Sequence, residues 1–253
     1  MTAVSDKCVV RKCDGSGLIV VVNDGETIAY PCPCREQKKQ LRKLDTAKIP
    51  LDLQDATVNS FEYEIYDEAD NVQKAKIAKH FAIKFVENYC DFSEAGKGIY
   101  LSGEIKGSGK TRLSVSILNA LIREYNVSGL YITSVNMLNE IKNTFTESSN
   151  SNSYELLKYF GEVEVLLIDD LGVEKVSDWS EEIFTQILDT RMNSKKITII
   201  TSNIGIGNLD SKYKNGRVGS RIEKMTFPLP MPEESVRTKL SLRDNEQIIN
   251  KFF

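Results

Sequence analysis

One stretch limits the fold of this chain more than any other: Ile99-Tyr100-Leu101-Ser102, then Gly103-Glu104-Ile105-Lys106-Gly107-Ser108-Gly109-Lys110-Thr111, then Arg112-Leu113-Ser114-Val115. The apolar residues Ile99–Leu101 form a short strand, and Leu113, Ile117, Leu118 and Leu121 recur at helical spacing from Thr111 to about Tyr125. A strand that runs through a glycine-rich loop into a helix is the context a phosphate-binding loop requires. The loop amides and the helix N-terminus together surround the phosphate oxygens. In this reading Lys110 reaches the β- and γ-phosphates and the Thr111 hydroxyl ligates Mg²⁺. Gly103, Gly107, Ser108, Gly109, Lys110, Thr111 and Arg112 make up the candidate nucleotide-contacting set. The spacing departs from the usual pattern at one point. Glu104 stands six residues before the lysine, where the first glycine belongs, and Gly103 stands seven before. The loop therefore carries one extra residue near its start, which the sequence places outside the phosphate cradle.

A second element supports the first. Val163-Glu164-Val165-Leu166-Leu167-Ile168-Asp169-Asp170-Leu171-Gly172 is an apolar run ending in two acids, a buried parallel strand that delivers carboxylates at its C-terminal end. Asp169 is expected to hold Mg²⁺ through water, and Asp170 to polarise an attacking water. A third strand, Lys196–Ser202, ends at Asn203, which would reach the γ-phosphate or that water if the strand lies beside the Asp169 strand; a turn-capping Asn is the alternative. The remaining segments alternate: a strand at Gly129–Thr133, helices at Val135–Phe145, Tyr154–Phe160 and Glu181–Met192, and a polar loop at Glu147–Ser153. Such alternation predicts an α/β domain with a parallel sheet covered on both faces.

Four of the five cysteines (Cys8, Cys13, Cys32 and Cys34) fall in the first 34 residues. The β-like stretch Leu18–Tyr30 lies between the pairs and is broken by a turn at Asn23-Asp24-Gly25. Two cysteine knuckles bridged by a hairpin have the layout of a zinc ribbon, with the four thiolates converging on one Zn²⁺. A segment this small cannot bury enough apolar surface to hold itself together without a metal or another staple. Free thiols and disulfides are the alternatives, and disulfides fit poorly with a chain that otherwise reads as cytoplasmic. The single histidine, His80, points away from multi-His metal chemistry. Cys90, in an apolar helical stretch, reads as a core thiol. The run Arg35–Lys43 carries five basic residues on what reads as a helix, either a solvated face or an arm for nucleic-acid backbone or an acidic partner. Residues 1–48 hold nine Lys/Arg against six Asp/Glu, whereas the remainder holds 24 against 30. The near-neutral total thus averages a basic head and an acidic body. No apolar run approaches the roughly 20 residues of a membrane helix, and no secretory signal is seen. The organisation expected is a four-cysteine zinc-binding module at 1–45, a linker at 46–54 and an ATPase domain at 55–253.

With these motifs in place, the chain resembles the bacterial and phage replicative-helicase loaders, the DnaC/DnaI-like AAA+ ATPases. The resemblance rests on LLIDDLG, TIITSN, GRVGSRI followed by ESVR, and the C…CDGSG…CPCR module. It implies a three-layer AAA+ core with strand order 5-1-4-3-2, ATP, Mg²⁺ and Zn²⁺ as cofactors, and ATP hydrolysis in a self-oligomer. Arg221 in Ser220-Arg221-Ile222 matches the arginine finger that acts on a neighbour's ATP, with Arg217 one helical turn earlier. Arg237 in Glu234-Ser235-Val236-Arg237 matches the sensor-2 arginine, which acts in cis. The resemblance further implies that the N-terminal module binds a replicative hexameric helicase and that the core engages single-stranded DNA, with no membrane partner. A transposition-helper ATPase of the IstB type shares the same core. A non-productive adaptor or inhibitor of a helicase or loader is the reading that the altered loop motivates. An initiator is disfavoured, since only 16 residues follow Arg237.

Overall fold

A computed structural model describes residue 8 and residues 12–14, 16–23, 26–146 and 150–252. The apolar runs form five parallel strands: β3 (Gly98–Ser102), β4 (Gly129–Thr133), β5 (Val165–Leu171), β6 (Ile197–Ser202) and β7 (Thr226–Pro230). Their spatial order is β4-β5-β6-β3-β7. Numbered within the sheet, this is the 5-1-4-3-2 order that the resemblance implies. Alternation along each strand sorts the side chains into two cores. Ile99, Leu101, Val165, Leu167, Ile197 and Ile199 pack on one face, beneath α2 (Ala69–Glu87), α3 (Tyr89–Ala95) and α4 (Lys110–Tyr125). Tyr100, Leu130, Ile132, Leu166, Ile168 and Ile200 pack on the other. There they meet α5 (Ser134–Thr146), α6 (Asn150–Glu162), α7 (Asp178–Asn193), α8 (Leu209–Lys212) and α9 (Arg217–Met225). The helix α10 (Arg237–Phe252) closes the described chain.

The N-terminal hairpin pairs β1 (Leu18–Asn23) with β2 (Glu26–Pro31) in antiparallel register, Leu18 opposite Pro31; the expected turn residues Asp24 and Gly25 lie outside the described residues. It leads into α1 (Cys34–Thr46). The stretch read as a linker is docked on the core. Ala47 and Ile49 are buried, Leu51–Leu53 forms a 3-10 turn, and the Ala47 carbonyl accepts the Tyr131 N–H on edge strand β4 at 2.8 Å. Of the basic run on α1, Arg35 and Arg42 are exposed, while Lys43 donates to the Asn126 carbonyl.

Two expectations are corrected. Cys90 is exposed. Helix α2 ends at Glu87, the chain breaks at Asn88, and the restarted helix turns Tyr89 inward, which leaves Cys90 off the buried face. Of the polar stretch 147–153 read as a loop, residues 147–149 lie outside the described residues. From Asn150 it is the first turn of α6, with Ser153 buried. The amphipathic remainder of that helix, which buries Phe160 and half-buries Leu156 and Leu157, carries its polar start into helical geometry.

At the sheet's lower edge, the Arg191 side chain is wholly buried, with no carboxylate paired to it among the described residues. It donates to Thr198 Oγ1 and to the carbonyls of Phe160, Val163 and Ile197 at 2.5–2.9 Å. Burial pulls its guanidinium down to about 9, still charged at neutral pH. It ties the end of α6, α7 and β6 together through their backbone carbonyls.

Candidate nucleotide and metal sites

All five parallel strands point their C-terminal ends to one edge, and the motif residues gather there, as expected for an open α/β sheet. The loop between β3 and α4 turns through Gly107 (φ +79°) and Gly109 (φ +89°), conformations that glycine adopts without steric cost. Space requires glycine too. A Cβ on Gly107 would lie 2.7 Å from Ser235 Oγ and 3.1 Å from Arg237 Cβ, and one on Gly109 would lie 2.9 Å from Phe61 Cε2. The Tyr66 hydroxyl donates to the Ser108 carbonyl at 2.9 Å and steadies the loop from the side of the segment before α2. Lys110 is buried, and its Nζ donates to the carbonyls of Gly103 and Ile105, each at 2.8 Å, and to Ser108 Oγ at 3.3 Å. Burial lowers its pKa, against the pull of Glu233, Asp170 and Asp169. The extra loop residue is thus less remote than the sequence suggests, since carbonyls on either side of Glu104 hold the lysine. Arg112 turns away from the loop toward Ser60 Oγ, at 3.4 Å.

Asp169 is buried, and its carboxylate accepts three hydroxyls: Thr201 at 2.6 Å, Tyr131 at 2.8 Å and Thr111 at 3.0 Å. The contact of Thr111 with Asp169 joins the first turn of α4 to the end of β5. It offers two hard oxygen donors next to the loop, a set suited to Mg²⁺. The register between β5 and β6 shifts between Ile168 and Leu171, and Asp170 takes a left-handed φ of +55°. Such a bulge re-aims side chains, and a non-glycine residue held there is under strain. Burial and the neighbouring Asp169 raise the Asp170 pKa, while Lys110, Lys106 and Arg237 oppose the rise. Asn203 follows β6, and its Oδ1 is buried without a hydrogen-bond partner among the described residues.

The two arginines of the tail are placed differently. Arg237 lies against Gly107, with its Nε 3.7 Å from a Cβ built there. Arg221 is paired within its own chain, its Nε and Nη2 donating to the two Asp189 carboxylate oxygens at 2.6 and 2.8 Å. Its Nη1 donates to the Arg217 carbonyl, and the Arg217 side chain is exposed. The structure therefore brings together Gly103, Gly107, Ser108, Gly109, Lys110, Thr111, Asp169, Asp170 and Arg237. It leaves Arg221 on the α7–α9 face.

Sequence reading missed Tyr131, Thr201, Asp189 and Glu233. Thr201 stands in the TIITSN stretch and could have been suspected from its place near the strand end. The others act across long sequence separations that no local pattern marks.

The N-terminal cysteines form the second site. The Sγ atoms of Cys8, Cys13, Cys32 and Cys34 all lie within 4.8 Å of one another, with Cys8–Cys32 at 3.7 Å and Cys13–Cys34 at 3.5 Å. Four sulfurs at the zinc–thiolate distance of about 2.3 Å in a tetrahedron stand about 3.8 Å apart, so the cluster has the right size for Zn²⁺. These separations are far beyond a disulfide bond. The Lys12 N–H points at Cys8 Sγ at 3.4 Å. Burial raises the Cys8 pKa, but backbone N–H groups of Cys13 and Lys12 outweigh it and bring the thiol to about 6; burial together with the neighbouring thiols pushes Cys34 up to about 12.

Comparison with known proteins agrees with this geometry. The replicative helicase loader DnaC of Buchnera aphidicola subsp. Acyrthosiphon pisum is 33% identical over 147 residues, 58% of this chain and 54% of that protein. The replicative helicase loader DnaI of Bacillus subtilis is 26% identical over 201 residues, 77% of this chain and 60% of that protein. The matched stretch thus spans little more than half the length of these relatives. A crystal structure of the DnaC helicase loader superposes with a TM-score of 0.61 at 26% identity, over 72% of this chain and 99% of that one. The replication initiator DnaA bound to AMPPCP and single-stranded DNA shares the fold, with a TM-score of 0.56 at 19% identity over 75% of this chain and 55% of that one. The model of the family described as IstB-like ATP binding protein matches residues 27–239. Since that match runs from the second strand of the hairpin into the first turn of α10, the chain belongs to the IstB-like ATP-binding protein family.

Proposed function

We propose that the chain is an ATP-hydrolysing loader that grips a replicative hexameric helicase and helps place it on single-stranded DNA. One observation carries the reading: a phosphate loop and a four-thiol N-terminal module stand in one chain whose relatives are named helicase loaders. In this reading the amides of Gly107–Gly109 and the N-terminus of α4 bind the β-phosphate, and Lys110 leaves its loop carbonyls for the β/γ oxygens. Thr111 and Asp169 hold Mg²⁺, which when bound neutralises charge on the phosphates. Asp170 accepts the proton of the attacking water, and Asn203 uses its unpartnered Oδ1 to orient that water. Arg237 reaches the nucleotide in cis. Arg221 acts on the ATP of a neighbouring copy and must exchange Asp189 for a phosphate to do so, which makes turnover depend on assembly. The module at 1–45 binds one zinc through Cys8, Cys13, Cys32 and Cys34 and carries the helicase contact. The docked stretch 46–54 joins it to the ATPase domain at 55–253.

The test is co-purification of the full chain with candidate hexameric helicases, with and without ATP, together with ATP turnover with and without single-stranded DNA. Helicase retention and DNA-stimulated turnover are expected, with turnover lost in Lys110→Ala and Arg221→Ala. A chain that retains no helicase and ignores DNA overturns the loader reading. The family match favours one second reading, a transposition-helper ATPase, for which a transposase would co-purify in place of the helicase. An adaptor would keep its function in both variants.

A further inference from the structure

The extra residue of the phosphate loop has a partner, 129 residues further along the chain. Glu233 Oε1 accepts the Glu104 N–H at 3.1 Å, and Oε2 accepts the Ile105 N–H at 3.1 Å. Both oxygens of one carboxylate therefore sit on two successive backbone donors, in the part of the loop that departs from the usual spacing. The carbonyls of Gly103 and Ile105 in the same stretch hold Lys110. Other bonds fix Glu233 itself. Its N–H donates to Asn71 Oδ1 at 2.9 Å, and Asn71 is buried on α2. Its neighbour Glu234 accepts the Asp67 N–H at 3.0 Å and Lys239 Nζ at 2.9 Å. Three residues on, the Val236 N–H donates to the Gly107 carbonyl at 3.0 Å, and Arg237 follows against Gly107.

We propose that Glu233 is a positioning residue for nucleotide binding: its carboxylate fixes the lengthened start of the phosphate loop and docks the segment bearing Arg237 onto it. A loop with one more residue has more conformations to lose when it closes on a phosphate, and its two successive exposed N–H groups can be tied by one carboxylate. Glu233 offsets that ordering cost before the nucleotide arrives. Its negative charge near the phosphates is exposed to solvent, so screening weakens the repulsion relative to the two hydrogen bonds.

The inference rests on the nucleotide reading of the loop, and the experiment separates the two. Binding of fluorescent mant-ATP with Mg²⁺ is measured for the native chain, Lys110→Ala, Glu233→Gln, a chain lacking Glu104, and that chain with Glu233→Gln. Glutamine keeps one acceptor oxygen and leaves one loop N–H unpaired, so affinity is expected to fall about tenfold, as for one hydrogen bond to a charged group. In the chain lacking Glu104 the same substitution is expected to cost less than about twofold, since one of the two successive donors is gone and the extra residue that the carboxylate holds is no longer there. Hydrogen exchange at the Glu104 and Ile105 amides of the nucleotide-free protein is expected to quicken in Glu233→Gln while the Leu113 amide is unchanged, a readout that does not need the shortened loop to fold. Unchanged or tighter binding in Glu233→Gln, an equal loss in both loop lengths, or unchanged exchange at residues 104–105 overturns the proposal. Undiminished binding in Lys110→Ala overturns the nucleotide reading instead.

Discussion

Replacing Thr201 by valine removes one buried hydroxyl and keeps the shape. The residue is wholly buried on β6. Its hydroxyl donates to Asp169 Oδ1 at 2.6 Å and accepts the Asp170 N–H at 2.9 Å. Valine therefore loses a hydrogen bond to a carboxylate, about 1.5–3 kcal/mol, and strands a half-buried N–H, about 1–3 kcal/mol. Asp169 keeps the hydroxyls of Thr111 and Tyr131, so the net cost falls toward the low end, about 3 kcal/mol. For a domain of this length that is a fall in Tm of about 6–12 °C. Urea unfolding followed by circular dichroism should show a lower midpoint with an unchanged slope. Tyr131→Phe supplies the contrast. It also takes a hydroxyl from Asp169, but orphans no backbone group, and should cost about 1.5 kcal/mol. In both variants the Mg²⁺ dependence of nucleotide affinity should weaken, because the carboxylate proposed to hold the metal is less firmly held. A Thr201→Val chain that loses under about 0.5 kcal/mol, or less than Tyr131→Phe, refutes the assignment of that hydroxyl as the joint between the two acids.

Three other outcomes are expected. Arg191→Met fills much of the same volume but removes the guanidinium hydrogen bonds to Thr198 Oγ1 and to three carbonyls. It should cost about 3–5 kcal/mol in urea unfolding, with the relief of burying an unpaired charge offsetting part of the loss. The Glu164 carboxylate is held below the usual range: burial raises its pKa, but the Ser128 N–H and hydroxyl, with Lys43 and Lys196, outweigh burial. A depressed folded pKa stabilises above the unfolded pKa, and that stability is lost as pH falls through the folded value. Native chain should thus exceed Glu164→Gln by about 1 kcal/mol at pH 7, discounted for partial exposure, and the two should converge in acid. Elemental analysis of the purified chain should find about one zinc per chain. Cys34→Ser or chelation should release it and unfold the hairpin, as read by loss of β-signal and by protease cleavage near residue 30, while mant-ATP binding persists.

Much of the architecture was legible because its signals are local. The strand, loop and helix around Lys110, the apolar run ending in Asp169 and the alternation of elements each lie within a few turns of chain, where side-chain periodicity follows directly from backbone geometry. The thiol cluster was legible too, because two cysteine pairs flank one hairpin. Local pattern misled where a helix break shifted the buried face, at Cys90, and where a polar first turn was carried by an amphipathic helix, at Asn150.

The sequence by itself marked the groups proposed to meet phosphate and metal: Lys110, Thr111, Asp169 and the four cysteines sit in segments whose neighbours along the chain dictate their geometry. Only the tertiary structure decided what holds those groups in place. Tyr131 and Thr201 reach Asp169 because β4 and β6 flank β5, and a bulge with a left-handed residue sets Asp170. Glu233 reaches the loop because β7 lies beside β3 and returns the chain over the loop after Pro230, and Arg221 meets Asp189 because α9 packs on α7. The physical reason is the same in each case. A hydrogen bond between residues far apart in sequence depends on strand order and packing, and neither is written into the residues that make the bond.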